Sequence, residues 1–346
     1  MKKIRTAVIG LGRIGWWYHI PQITEHEGFE LIAVTDRMEE RLAEAKEKYG
    51  AACYTDHVKM YESERPDLVV VASPTPFHCE HAIQAMEHGI DVFLDKPMAM
   101  SLKEADEIIA VKERTGRKLM IYQPHRVTAQ QITLESIIAT GKIGRVHMIK
   151  RAATDYARRN DWQSLIKNGG GMLNNYGAHF IDQLLYLTDF SVRRVFCLMQ
   201  NIASIGDAED VVKIVMETQK GVTLDIDMST AAAHPIPSFI VYGSNGAIIS
   251  GNDGNESVFH VRYYNDSDLG ELALYPELAA QKRSYSNFEE IPWVEESVPV
   301  STQKELNFYD KCYDYYSLDK DPFVPIAETR EVMRVIQECR DIAGWS

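Results

Sequence analysis

Long apolar runs, clustered cysteines and a surplus of basic residues are all missing from this 346-residue sequence. Each absence closes off a class. A helix that crosses a bilayer needs about 20 consecutive apolar residues, and no stretch here approaches that. The five cysteines (Cys53, Cys79, Cys197, Cys312 and Cys339) lie far apart with no Cys-x-x-Cys pair. They read as reduced thiols rather than a disulfide framework. Lys and Arg number 37 against 50 Asp and Glu, a net charge of −13. Nucleic acid and anionic membrane surfaces require clustered positive charge, so neither is expected as a partner. Met1 to Lys3 resembles the basic start of a signal peptide, but Arg5, Arg13 and intervening glycines interrupt any apolar core behind it. Internal repeats and low-complexity segments are absent too. What remains is expected to be a soluble, cytoplasmic protein, and the length suggests two domains.

What is present begins with Ile4 to Gly15, IRTAVIGLGRIG. A short apolar strand breaks into Gly10, Gly12 and Gly15, with Arg13 and Ile14 between them. The first glycine permits a tight turn, the second lets backbone approach a pyrophosphate, and the third lets helix and strand pack closely. Phosphates would sit on the helix N-terminus, where unpaired N–H groups favour negative charge. Twenty-one residues past Gly15 stands Asp36, at the end of a second apolar strand, Phe29 to Thr35. An acid there can accept hydrogen bonds from ribose hydroxyls. A dinucleotide site is the expectation, with NAD favoured because a 2′-phosphate would meet the Asp36 charge. Arg37 beside it leaves NADP as the lesser alternative.

The alternation continues. A helix over 39–49 is followed by strands over 67–72, 91–94 and 118–122, separated by helices over 78–88 and from Ser101 to Gly116. Ser101 and Glu104 form a capping box. This pattern predicts an α/β Rossmann domain, residues 1–123, with a parallel sheet and helices on both faces. Ligands of such sheets bind beyond the C-terminal strand ends. Gly10, Asp36, Ser73 and Lys96 all fall at such ends, on one rim. His78, Cys79, His81 and His88 lack a matching ligand set, so no metal site is expected.

From residue 124 to 346 the pattern changes. A helix over 128–141 leads into extended segments over 144–156, 192–201, 211–217, 222–230, 239–242 and 258–264. Successive strands without intervening helices predict an α+β domain with a large, mainly antiparallel open sheet. Asn245–Gly246 and Asp253–Gly254 are turn signals. So broad a sheet needs its second face covered, and packing against another subunit is expected. Residues 265–296 read as loop or edge excursion, and helices over 302–317 and 326–343 close the chain. Within this domain Gly169 to Asp182 reads GGGMLNNYGAHFID. Three glycines precede a helix on which Asn175, His179 and Asp182 share a face at i, i+4 and i+7. The glycines would give a ligand access to the first turn, or the polar stripe is simply solvated with Asn174 or Asn175 as a cap.

These blocks together resemble the glucose–fructose oxidoreductase, inositol 2-dehydrogenase and rhizopine-catabolism family, Gfo/Idh/MocA, over essentially the whole chain. Its T-P-x-x-x-H appears as Ser73, Pro74 and Thr75 running to His78, and its E-K-P as Asp95, Lys96 and Pro97. The G-K-I-G at 141–144, the G-G-G-x-L-x-D-x-G-x-H-x-x-D block and the run from Pro325 to Arg330 also match. The resemblance implies an active site between the domains, NAD or NADP as cofactor, and a homodimer or homotetramer formed through the second-domain sheet. It also implies that Lys96 meets the substrate hydroxyl and nicotinamide ribose, with a cis bond to Pro97, and that His179 is the general acid/base. This sequence departs from the family at Asp95, which replaces glutamate, and at Asn175, which stands where most of these dehydrogenases carry aspartate. An amide can hydrogen-bond a hydroxyl but cannot take its proton.

The implied activity is a nicotinamide-dependent dehydrogenase acting on a secondary alcohol of a sugar, polyol or cyclitol. Arg126, Tyr156, Arg158, Asp161 and Trp162 lie on segments that can border the cleft and suit a sugar ring. Trp16 and Trp17 are expected to pack the first helix rather than wall the nicotinamide. Two other classes stay open: a cofactor-binding regulator without turnover, and a hydrolase-like enzyme that recycles bound NAD.

Overall fold

A computed structural model describes residues 3–274, 289–300 and 306–345. The first sheet contains β1 (Ile4–Ile9), β2 (Phe29–Thr35), β3 (Ala52–Tyr54), β4 (Leu68–Val71), β5 (Asp91–Leu94) and β6 (Leu119–Ile121). Their order is β3-β2-β1-β4-β5-β6, with every neighbouring pair parallel. Chain direction away from β1 reverses between β1 and β4, which is where such sheets open a crevice. β1, β4 and β6 are almost wholly buried, as a sheet covered on both faces requires, while the edge strand β3 is half-buried. Its helices are α1 (Ile20–Glu25), α2 (Glu39–Tyr49), α3 (His57–Glu64), α4 (His78–Glu87) and α5 (Leu102–Thr115).

β3 and α3 fall in a stretch the sequence pattern leaves unassigned. β3 has only three residues, too few to show a period, and α3 is short and weakly amphipathic. Its start signal is Asp56, whose side chain accepts from the backbone N–H of Val58 and Lys59. Half of the capping box at α5 forms: Glu104 N–H donates to Ser101 Oγ, while the Glu104 carboxylate reaches one residue further back and accepts from Met100 N–H. Trp16 packs edge-on against Tyr49, and Trp17 is largely exposed.

The chain then crosses through a short turn, Pro124–Val127, into α6 (Ala129–Ala139) and β7 (Val146–Thr154). After α7 (Ala178–Tyr186) come β8 (Val192–Gln200), β9 (Val211–Thr218), β10 (Thr223–Ser229), β11 (Phe239–Gly243), β12 (Gly246–Asp253), β13 (Glu256–Tyr263) and β14 (Val294–Pro299). They form one eight-stranded sheet, β14-β13-β12-β11-β7-β10-β9-β8. All pairs are antiparallel except β7 with β10. β12 lies between the two turn signals at its ends; its glycines and polar residues hide it from a β-branched pattern. The edge strand β14 begins inside the stretch read as loop or excursion, of which residues 275–288 lie outside the described residues, as does the predicted helix start at 302. α8 (Phe308–Leu318) packs back onto the first domain through Phe308, Tyr309 and Tyr313, and α9 (Ile326–Ala343) lies against β8 and α7. Among the described residues no helix is long and apolar enough to cross a membrane.

Candidate active site

The rim predicted from the strand ends exists. Gly10, Gly12, Arg13, Ile14, Asp36, Ser73, Pro74, Thr75, His78, Asp95 and Lys96 line one continuous cavity of about 840 Å3. It runs on between the domains to Asn175 and His179. The three glycines divide their work. Gly10 sits at φ +95°, where an L side chain is strained and a Cβ would press on the Ala72 carbonyl. A Cβ on Gly15 would collide with the Gly10 carbonyl, so Gly15 serves packing and is not itself in the cavity wall. Gly12 has nothing within 4 Å of its missing Cβ. That open ground above the turn fits a pyrophosphate approached by backbone, and Asp36 fits a ribose. The Asp36 carboxylate is anchored by Leu11 N–H at 2.8 Å and by Arg41 at 3.3 Å. Arg37 does not line the cavity; its guanidinium lies over the Phe77 ring at 4.6 Å.

At the inner end the Lys96 ammonium donates to the Asn175 carbonyl oxygen at 2.8 Å, and the bond between Lys96 and Pro97 is cis. Burial draws the Lys96 pKa down to about 8; Asp95 opposes the shift and Arg13 adds to it. The Asp95 carboxylate accepts from Lys96 N–H, and burial raises its pKa. His179 lies on α7, one turn past Asn175. Its Nδ1 is buried without a partner, which leaves Nε2 as the nitrogen that can serve the cavity. Burial, then Lys96, His125 and Arg151, push its pKa well below the ordinary imidazole range. Its ring stacks on His125 at a centroid distance of 4.0 Å. His125 escaped the sequence reading. The signal was its position just after β6, where a strand end meets the rim.

Five of the predicted placements need correction. Arg126 does not border the cleft: it is 2% exposed, and it grips Asp182 with two bonds of 2.8 and 2.5 Å and Glu328 at 2.7 Å. Asp182 therefore leaves the face it shares with Asn175 and His179 on paper, because a buried guanidinium claims it. Tyr156 pairs with Ala231 in an isolated bridge outside the main cavity and is mostly exposed. Arg158 lines an adjoining cavity with Asp155, Asn160 and Thr230, while Trp162 and Asp161 do border the main one. The glycine run before α7 mostly admits chain rather than ligand. Only Gly169 reaches the cavity; Gly170 and Gly171 lie against the Gln163 backbone and the Glu209 carboxylate. Glu209 accepts from Leu173 N–H at the start of the helical turn, and burial pushes its pKa up to about 7. Asn174 is held between Arg340 and the Gly169 carbonyl, and both it and Asn175 line the cavity.

The histidines considered for metal are engaged elsewhere. His78 meets two backbone carbonyls, His81 meets Ser73 Oγ, and His88 meets its own helix backbone. The described cysteines are all free thiols.

A parallel sheet whose switch-point cavity continues into a second, mainly antiparallel domain is the architecture of a dinucleotide-binding oxidoreductase. The chain belongs to the Gfo/Idh/MocA oxidoreductase family: residues 4–123 match its NAD-binding Rossmann fold and residues 132–249 its C-terminal domain. It is 29% identical over 289 residues to myo-inositol 2-dehydrogenase of Thermotoga maritima, covering 82% of this chain and 85% of that protein. It is also 29% identical over 191 residues to D-glucoside 3-dehydrogenase of Escherichia coli, and there the match spans only about half of each chain, 54% and 54%. Among solved structures, an NAD-binding protein from Listeria innocua superposes with a TM-score of 0.82 at 22% identity, covering 99% of this chain and 95% of that one. The WlbA dehydrogenase of Bordetella pertussis, solved with NADH and UDP-GlcNAcA, gives 0.77 at 20% identity, covering 99% and 97%. At those identities the structural likeness speaks for the fold alone.

Proposed function

We propose that this protein is a dehydrogenase that moves a hydride between nicotinamide and a secondary alcohol of a sugar, polyol or cyclitol. The observation carrying this reading is the meeting of Lys96 and His179 at the inner end of the cavity whose outer end is the Gly10–Gly15 turn and Asp36. Bound there, NAD supplies the hydride acceptor. Residues of the rim bind it: the open backbone at Gly12 suits the pyrophosphate, and Asp36 suits a ribose with free hydroxyls. Arg37, engaged with Phe77, is not offered to a 2′-phosphate, which supports NAD over NADP.

The chain's own part in the chemistry is to hold the hydroxyl and take its proton. A general base works best with a pKa near the operating pH. Lys96, drawn down to about 8, meets that condition better than His179, whose surroundings keep the imidazole neutral. Neutral His179 orients the hydroxyl through Nε2, and the Lys96 amine receives the proton. The amide of Asn175 adds a hydrogen bond without adding charge. Trp162 and Tyr176 at the cavity wall suit the face of a ring.

Assembly follows the same reading. On the outer side of β8, Phe196 and Leu198 are 51% and 57% exposed while Cys197 between them is buried. That apolar stripe supports a homodimer or homotetramer formed through the sheet, which sedimentation would test.

The deciding experiment follows NAD+ and NADP+ reduction by absorbance across inositols, hexoses, aldonates and sugar phosphates. NADH formed with one substrate class supports the proposal and names its substrate. A second reading, a cofactor-binding regulator without turnover, draws on Asn175. NAD binding with silence across the whole panel would favour it.

A further inference from the structure

His78 opens α4 just beyond the β4 rim and is 1% exposed. Its Nδ1 lies 2.8 Å from the Pro97 carbonyl oxygen, and its Nε2 lies 2.8 Å from the Ser73 carbonyl oxygen. A carbonyl oxygen only accepts, so each nitrogen has to donate. A neutral imidazole has one N–H. Its second nitrogen would turn a lone pair onto an oxygen lone pair and leave a buried acceptor unmet. Only the doubly protonated ring satisfies both contacts at once.

We infer that His78 is a structural imidazolium that ties the Ser73 rim to the turn at Pro97 and balances the charge of Asp95 beside Lys96.

The groups facing the ring pull both ways, and the assignment stands on the two carbonyl contacts. Burial works against the charge, is the largest influence, and draws the pKa below the ordinary imidazole value. Opposing it are the buried Asp95 carboxylate and the two carbonyls. Lys96 adds a smaller repulsion, and His81, held neutral by its own burial, adds little. Asp95 is thus shared between two cations. A buried carboxylate that faced Lys96 alone would hold the ammonium form firmly. With His78 charged, part of the Asp95 charge is compensated, which weakens its opposition to the burial-driven fall of the Lys96 pKa. His78 is in this sense a positioning residue: it touches no reacting atom and acts through Asp95 and the Lys96 turn.

The direct test is the protonation state of the ring in the folded protein, labelled with 15N-histidine and followed by long-range 1H–15N correlation from pH 6 to 9. His78 is identified by the signals lost in His78→Gln, or by those moved in Asp95→Asn should the first variant not fold. Two pyrrole-type nitrogens at pH 7 are expected. A pyridine-type nitrogen at pH 7 would overturn the assignment, and this readout needs no turnover. In Asp95→Asn the ring should lose a proton at lower pH than in the wild type; no change would refute the charge balance. The consequence for Lys96 rests on the dehydrogenase reading. In His78→Gln the acid limb of kcat/KM should move to higher pH, with a loss of roughly tenfold at pH 7 that recovers by pH 9, since one pH unit is a factor of ten. An equal loss at every pH would mark His78 as a packing residue only.

Discussion

Two neighbouring residues in one short turn, His125 and Arg126, face two residues of one helix, His179 and Asp182, and the two pairs have opposite characters. Arg126 and Asp182 are both about 1% exposed at the side chain and doubly bonded, and Glu328 closes the third side of the guanidinium. The rings of Tyr186 and Phe190 cover it at 4.7 and 5.1 Å. That cluster is electrostatically complete. His125 and His179 form the other. They stack beside a cavity that also holds Lys96; His125 Nδ1 meets only Gln183 Oε1, at 3.4 Å, and His179 Nδ1 has no hydrogen-bond partner among the described residues. Burial with nearby cations keeps both rings neutral, His125 being drawn down to about 4. A finished ion pair fixes geometry; an unfinished polar cluster beside a cavity is available to a substrate. Buried polar groups left unsatisfied are costly, and the open His179 Nδ1 against the doubly bonded Asp182 carboxylate is what separates the two faces of α7.

The comparison can be broken from either side. The largest effect is expected at the closed cluster. Asp182→Ala leaves the buried Arg126 charge with only the partly exposed Glu328 to meet it and should cost about 3 kcal/mol of folding stability, read by chemical denaturation. A loss under about 1 kcal/mol would mean that Arg126 reaches solvent and the cluster is not sealed. Next comes the open cluster. His179→Ala should lower turnover roughly 10²-fold or more while the denaturation midpoint moves little, and wild-type turnover would sink the role given to the ring.

Asn175→Asp sharpens the contrast by placing a carboxylate beside Lys96 and His179. The rate at its optimum should change only modestly. The acid limb of the pH profile, expected near pH 8 in the wild type from the Lys96 pKa, should shift upward because the new charge favours the ammonium. Lys96 also bears on stability. Its folded pKa lies below the unfolded value of 10.5, so the unfolded chain binds more protons between about pH 8 and 10.5, and stability should rise with pH across that window. Lys96→Met should flatten this rise in denaturation measured from pH 7 to 10. The smallest effect is expected at Glu328→Gln, about 1 kcal/mol or less, because Glu328 is 26% exposed and Asp182 still compensates Arg126.

Much of the site could be read before any coordinates. Gly10, Gly12, Asp36, Ser73 and Lys96 follow from strand ends, since a parallel sheet presents those ends along one edge. Helical spacing after the glycine run puts Asn175 and His179 on one face with Asp182, and only the family resemblance singles out His179. The misreadings share one cause. Arg126 and Asp182 carry the residue types of a sugar site at plausible positions, and nothing local reveals that two residues 56 apart in the chain cancel each other in the interior. Gly170 and Gly171 look like an opening for ligand, yet their bareness makes room for Gln163 and Glu209.

The sequence by itself determined the alternation of strand and helix, the dinucleotide turn, the acid that ends β2 and the family to which the chain belongs. Those are short-range facts, written in periods of two and 3.6 and in motifs a few residues long. Only the tertiary structure decided which charges meet. It sends His125 to the cleft and Arg126 to the interior, and it sets His78 between two carbonyls that lie 5 and 19 residues away along the chain. Partnership between distant polar groups depends on how layers pack, and the energy of each pair depends on how much water that packing removes. Neither quantity has a signature in the local sequence.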